Sequence, residues 1–315
     1  MTKLQKLQVI EAIRREIDTL GSASRVANKL GISKATLSNI LNRKWDRIST
    51  ELWNRVASAL HVSFGSWQVH PEVSNTRMLM NLFGKARQHA LFVPVSYYAG
   101  SGKSQAAKYY ISEHPGEAVY YLNSREWARR EFLTNLMRVL GIEPPKGVVT
   151  VDQLGELVIR FFQERAQWKP LLILDEADKL KPSALRWLIH LFNATEDKLA
   201  VVIMGTENLE KEIKRGVRLA KKGYDEIDSR FGRNYIRLMG ATRSDVAKIC
   251  EANGITEKEV QARIFKEAGP VQKRLPDGSF AQVVEDLRRV KRIVQRELMR
   301  RELEAVNVAR ETVNG

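Results

Sequence analysis

Cysteine is nearly absent from this chain: Cys250 is the only one in 315 residues. A single thiol excludes an internal disulfide and a cysteine-based zinc cluster. Five histidines, scattered along the sequence, offer no metal-ligand spacing. Long apolar runs are missing as well. "PLLIL" before Asp175 and "LAVVIM" before Gly205 have the length of buried strands and fall far short of a membrane span. The opening "MTKLQKLQVIEAIRREI" carries charges throughout, so it reads as an amphipathic helix and not as a signal segment. Acidic residues are in deficit, 37 against 52 Lys and Arg, for a net charge of +15. Cationic surface gains free energy by displacing counterions condensed on nucleic acid, so the excess points to a polyanionic partner. A merely basic soluble protein is the alternative. A cytoplasmic chain of about two domains, with no membrane partner, is expected.

What is present begins with "SASRVANKLGISKATLSNILNRK" (Ser22–Lys44). Val26, Ala27 and Leu30 line one face of a short helix, Gly31 permits a left-handed turn, and Ser33 is placed to cap a second helix. The apolar positions of that second helix, Leu37, Ile40 and Leu41, face inward. Lys34, Ala35, Thr36, Ser38, Asn39 and Arg43 are left toward solvent, where a recognition helix carries its DNA contacts. Residues 1–70 hold eleven Lys or Arg against five Asp or Glu. The stretch resembles the repressor-type helix-turn-helix domains of phages; a helical bundle with a solvated basic face is the bland alternative. "SFGSWQVHPEVSN" (Ser63–Asn75) breaks the periodicity and reads as a linker, with a helix expected over Arg77–His89.

"SYYAGSGKSQ" (Ser96–Gln105) follows an apolar segment and precedes a helical one. It fits the phosphate-binding pattern G-x-x-x-x-G-K-[ST] except that Tyr97 replaces the opening glycine. Gly100, Ser101 and Gly102 can fold into a nest of backbone N–H groups at a helix N-terminus, closed by Gln105. Lys103 would reach the β- and γ-phosphates of ATP, and Ser104 would ligate Mg²⁺. "PLLILDEADKL" (Pro170–Leu180) then supplies an apolar strand ending in adjacent carboxylates: Asp175 for the Mg²⁺ shell and Glu176 to polarise an attacking water. "KLAVVIMGTEN" (Lys198–Asn208) ends in Thr206, placed to lie beside Asp175 and sense the γ-phosphate or position the water. The fold class expected is α/β, a P-loop ATPase core with a helical lid and an N-terminal all-α domain. The boundaries are residues 1–65, 66–240 and 241–315.

The order of these strands, the Asp-Glu pair and the polar strand end resemble the AAA+ ATPases. Within them the chain is similar to the phage and transposon target-selection ATPases, the family of the B transposition protein of phage Mu. "GSGKS", "LLILDEADKL", "VVIMGTENL", "DEIDSRFGRNYIRL" and "EDLRRVKRIVQREL" carry that resemblance over nearly the whole chain. It implies an arginine finger at Arg230, with Arg233 the alternative, given in trans to a neighbouring subunit. It also implies a nucleotide contact from the lid at Arg288, although the glycine usual just before that helix is absent. The implied function is ATP-dependent, largely sequence-indifferent capture of duplex DNA by a ring or helical homo-oligomer, which delivers it to a transposase.

Two basic loops are candidates to track DNA phosphates: "NSREWARR" with Arg125 and Arg129, and "DKLKPS" with Lys179 and Lys181. "KEIKRGVRLAKK" (Lys211–Lys222) has six basic residues and one acidic, equally readable as a solvated face. The tail from Gly269 is expected to be helical, with its last residues frayed. Two rival functions stay open: a sequence-specific helix-turn-helix regulator with a modulatory nucleotide site, and a replication initiator or helicase loader.

Overall fold

The computed structural model describes residues 3–60, 62, 67–143, 147–274 and 278–314. Residues 63–66 of the expected linker, and with them the expected boundary at residue 65, lie outside that set. Contacts divide the chain into two compact units, Met1–Trp67 and Gln68–Gly315.

The first unit comprises α1 (Lys3–Leu20), α2 (Ala23–Lys29), α3 (Lys34–Leu41) and α4 (Thr50–Ala59). Val9 and Ile13 of α1, Val26 and Ala27 of α2, Leu37 and Ile40 of α3, and Trp53 and Val56 of α4 meet in one core. These positions recur at helical spacing, which is why each helix buries a single face. The turn between α2 and α3 is tight: the Ile32 amide donates to the Ala27 carbonyl at 3.0 Å, and the Thr36 amide donates to the Ser33 hydroxyl at 3.0 Å, capping α3.

The second unit is built on four parallel strands in the order β1-β4-β3-β2: β1 (Phe92–Ser96), β2 (Val119–Asn123), β3 (Leu171–Asp175) and β4 (Ala200–Gly205). Successive strand residues face opposite ways, and the two sets join different cores. Leu172 and Leu174 pack with α7 (Arg129–Leu140), α8 (Val151–Glu164), α9 (Pro182–Thr195), α10 (Glu207–Arg218) and α11 (Tyr224–Arg230). Leu171 and Ile173 pack with α5 (Ser74–Gln88) and α6 (Lys103–Glu113). Covering both faces is what leaves β3 and β4 buried at every position, and apolar up to Asp175 at the end of β3.

Pro94 sits inside β1, an edge strand of this sheet. Ser96 N–H donates to the Ile236 carbonyl, and Ile236 N–H donates to the Pro94 carbonyl, so these two β1 residues face the segment around Ile236. The amide that Pro94 lacks therefore falls on that side, where the chain makes only an isolated parallel bridge.

After residue 240 the expectation of an all-helical lid needs correction. Alongside α12 (Arg243–Ala252), α13 (Lys258–Glu267) and α14 (Leu287–Asn314) there is a three-stranded antiparallel sheet, β5 (Ala241–Thr242), β7 (Phe280–Val284) and β6 (Val271–Arg274). "VQKR" and "FAQVV" carry β-branched residues around a Pro-Asp-Gly turn sequence, a hairpin signature that outweighs the basic charge pattern. Residues 275–277 of that turn lie outside the described set. The tail, expected to fray, continues α14 to Asn314. Among the described residues no helix is long and apolar enough to cross a membrane.

Candidate nucleotide-binding site

Parallel strands place all their carboxyl ends at one sheet edge, where α/β proteins bind ligands. The loop after β1 lies there beside the ends of β4 and β3: Ser96 pairs with Gly205, Asn123 with Asp175, and Tyr97 N–H donates to the Gly205 carbonyl at 3.3 Å. Gly100 and Gly102 both adopt left-handed backbone, with φ of 84° and 92°. Gly102 is the N-cap of α6, so the loop turns directly into a helix N-terminus. Side chains are excluded here for a second reason: a Cβ on Gly100 would overlap the Asp286 carboxylate, and one on Gly102 would lie 3.1 Å from Leu287.

Lys103 is 8% exposed. Its ammonium donates to the carbonyls of Tyr97 (2.8 Å) and Tyr98 (3.0 Å) and to the Ser101 hydroxyl (3.1 Å). Burial lowers its pKa to about 8; Asp175 and Asp178 oppose the shift, and Arg288 adds to it. Arg288 thus lies near enough to the loop for its charge to act on Lys103. Ser104 and Gln105 follow in the first turn of α6, Ser101 is buried, and Gln105 is exposed.

Asp175 ends β3 and is 2% exposed. One carboxylate oxygen accepts from the Glu176 amide (2.9 Å) and the other from the Tyr121 hydroxyl (2.7 Å). Burial and Asp175 together push the Tyr121 phenol well above its ordinary pKa, so it stays a donor. Each carboxylate oxygen has two lone pairs, leaving one on each for a further ligand. Glu176 takes left-handed backbone (φ 52°), and its carboxylate accepts from Lys179 at 2.6 Å. Lys179, read as a DNA contact, is thus engaged with the proposed base. Thr206 follows the end of β4, the strand next to β3, and its hydroxyl donates to Asp178 at 2.6 Å. The 3-10 turn after Glu176 brings Asp178 up beneath the end of β4.

The donor set fits a nucleotide with Mg²⁺. A left-handed glycine loop leads into a helix N-terminus, and a nearly buried ammonium, a hydroxyl and a carboxylate with spare lone pairs stand at one edge.

Several members of the site were not anticipated. Asn75, assigned to the linker, lies in the first turn of α5 and is 1% exposed. Its amide donates to the Ser101 carbonyl (3.1 Å), and its oxygen accepts from the Met239 (3.1 Å) and Gly240 (3.2 Å) amides. Tyr97 is buried, and its hydroxyl donates to Glu285 at 2.8 Å and accepts from Lys273. The alternation in "VYYLN" could have flagged Tyr121; nothing local marks Asn75.

Of the finger candidates, Arg233 pairs with Asp225 (2.9 Å) and Asp228 (3.6 Å), whereas Arg230 lies with its guanidinium 5.0 Å from the Phe192 ring and its Nε buried without a hydrogen-bond partner. The two basic loops are bonded to each other: the Lys181 amide donates to the Trp127 carbonyl (3.0 Å) and the Arg129 amide to the Ser183 hydroxyl (3.3 Å). Arg125 and Lys181 are exposed there, while Arg129 is paired with Asp152. In the first unit Lys34, Ser38 and Arg43 are exposed; Thr36 and Asn39 are half-buried, and the Thr36 hydroxyl is 2.8 Å from Ser33.

Residues 87–213 match the family model described as "AAA domain". No curated protein matches the chain. Its fold is similar to that of the ORC2 protein of Aeropyrum pernix, in ADPNP–ADP complexes, with a TM-score of 0.50 at 12% identity over 74% of this chain and 62% of that one. Cdc6p from Pyrobaculum aerophilum aligns with a TM-score of 0.49 at 17% identity, over 65% and 57%. A Walker-type ATPase of Pyrococcus abyssi aligns at 0.47 and 12%, over 78% and 79%. The chain thus spans less than two thirds of the first two proteins. The fold is α/β, with a parallel sheet and an AAA+ P-loop core.

Proposed function

We propose that the chain is an AAA+ ATPase that binds duplex DNA under the control of its nucleotide. The observation that carries this reading is the convergence of Lys103, Asp175, Glu176 and Thr206 at the ends of three adjacent parallel strands. Lys103 neutralises phosphate charge, while Ser104 and the spare lone pairs of Asp175 would hold Mg²⁺. Bound Mg²⁺ supplies electrostatic stabilisation to the phosphate oxygens. Glu176 accepts the proton of the attacking water, and must first leave Lys179. Their ion pair is exposed, so leaving it costs little. As the water oxygen bonds to the γ-phosphorus, the bond to the β,γ-bridging oxygen breaks and ADP departs with that electron pair. Arg288 closes on the nucleotide from the lid, and Arg230 is given to a neighbouring subunit in a homo-oligomer.

DNA has two candidate surfaces: the outer face of α3, with Lys34, Ser38 and Arg43, and the joined loops carrying Arg125 and Lys181. Contacts from Arg125 and Lys181 reach phosphates, so the binding these loops give is sensitive to salt and indifferent to sequence. Delivery of that DNA to a transposase is supported by the sequence resemblance. The replication-initiator reading draws on the likeness to the Aeropyrum ORC2 protein, which is one of fold.

Binding to a long duplex of arbitrary sequence, at fixed salt, with ATP, with ADP and without nucleotide, tests the proposal. Cooperative binding that requires ATP and ignores sequence is expected, and Glu176→Gln should hold the DNA-bound assembly. Tight binding to one sequence regardless of nucleotide would overturn it in favour of the regulator.

A further inference from the structure

Two positions where this chain departs from the pattern it resembles are in contact. Tyr97 stands where the phosphate loop ordinarily opens with glycine, and Glu285 lies in the segment just before α14, where a glycine is also usual. The Tyr97 hydroxyl donates to the Glu285 carboxylate at 2.8 Å. Lys273, from β6 of the lid hairpin, completes the cluster. It donates to the same hydroxyl, to Glu285 (3.3 Å) and to the Leu238 carbonyl (3.2 Å), with its ammonium 4.3 Å from the centre of the Tyr97 ring. Tyr97 is 5% exposed and its two partners are half-buried, so the bonds are partly shielded from water.

The same segment touches the loop at its glycines. The Leu287 amide donates to the Gly100 carbonyl at 2.9 Å, and the Leu287 side chain lies against Gly102. Asp286, over Gly100, also accepts from the Arg288 amide at 2.9 Å, capping the helix that carries Arg288. Glycine at 97 would offer no group to Glu285 or Lys273. Tyrosine supplies a rigid arm with a hydroxyl that donates once and accepts once, and both capacities are used.

We propose that Tyr97 is a positioning residue, a latch that fastens the base of the phosphate loop to the lid so that the loop and the start of α14 move as one body. It touches no reacting atom. Its effect on nucleotide passes through Arg288, and this part rests on the nucleotide reading above. A lid that closes draws on the loop through Tyr97, and a loop ordered by phosphates holds the lid.

Tyr97→Phe removes only the hydroxyl and keeps the packing. In nucleotide-free protein, amide hydrogen exchange at residues 286–290 should speed up by about tenfold, the scale of one buried bond to a charged group. ATP affinity should fall by a similar factor, and Tyr97→Phe combined with Glu285→Gln should lose little more than either alone. Unchanged exchange in Tyr97→Phe, or losses that simply add, would overturn the latch. If the unaltered protein bound no nucleotide, the proposed function would fail while the exchange arm still decided the latch.

Discussion

The hydroxyl of Thr206 donates its one proton to Asp178, at 2.6 Å, and accepts from the Asn208 amide at 3.3 Å. A hydroxyl has one donor and two lone pairs, so a single accepting site remains on Thr206. A phosphate oxygen is an acceptor and has nothing to offer that site; a water molecule can donate to it. The pairing with Asp178 therefore favours positioning of water over sensing of the γ-phosphate. Asp178 depends on this bond, because its second oxygen is already buried without a partner and the loss of Thr206 would strand both.

Thr206→Val should lower kcat by roughly ten- to a hundredfold, the usual range for a lost catalytic hydrogen bond. The ratio of ATP to ADP affinity should stay as in the unaltered protein, and Thr206→Ser should recover most of the rate. Titration of a fluorescent nucleotide beside steady-state hydrolysis checks this. A ratio that collapsed toward one would identify Thr206 as a γ-phosphate sensor instead.

Lys103 yields a prediction in pH. With its pKa lowered to about 8 by burial, the ammonium is half deprotonated at pH 8 in the free protein. Phosphates beside it favour the charged form, so nucleotide binding takes up a proton. Uptake should be roughly 0.5 proton per site at pH 8, larger at pH 9 and near zero at pH 6.5. Calorimetry in two buffers of different ionisation enthalpy measures it. The linked stability has a definite sign. The unfolded chain binds the extra proton between about pH 8 and the ordinary value of 10.5, so the nucleotide-free protein gains stability as pH rises through that window.

The parts of this site that were legible in the sequence are those built from contiguous residues. "GSGKS" and "LLILDEADKL" each carry their own strand or helix context, so the spacing alone placed Lys103 and Asp175. Asn75, Lys273 and Glu285 reach their partners in the loop from 26, 176 and 188 residues away, and nothing in their neighbourhoods marks them. The lid hairpin was missed for a different reason. Lys273 and Arg274 made a strand look like part of a basic helix, whereas Lys273 is turned inward to Tyr97 and Glu285. The bond from Thr206 to Asp178 was not legible, because the turn after Glu176, not the strand itself, brings Asp178 to it.

Asn75 should be the most sensitive polar position outside the motifs. Asn75→Ala leaves the Ser101 carbonyl and the Met239 and Gly240 amides without their bonds in a buried place, a loss of about 2–4 kcal/mol. Asn75→Asp keeps both acceptor bonds but sets a buried carboxylate oxygen against the Ser101 carbonyl, so it should lose at least as much. Urea unfolding gives the stabilities. Because the bond to Ser101 shapes the loop whatever its ligand, ATP and ADP affinities should drop together.

Arg230 and Arg233 separate by the company they keep. Arg233 is committed to Asp225 and Asp228 within its own chain, and its pair with Asp225 is exposed on both sides. Arg233→Ala should therefore change stability by less than about 1 kcal/mol and leave hydrolysis largely intact. Arg230 makes no ion pair among the described residues and rests on the face of Phe192, a contact a guanidinium can leave for a phosphate. Arg230→Ala should abolish hydrolysis while leaving ATP binding in place. A finger acting between subunits adds a sharper requirement. Arg230→Ala keeps an intact loop and Lys103→Ala keeps an intact finger, each inactive alone, so a mixture should regain hydrolysis at the junctions that pair the two intact halves. Mixtures with no more activity than their components would place Arg230 outside the site and leave it as packing against Phe192.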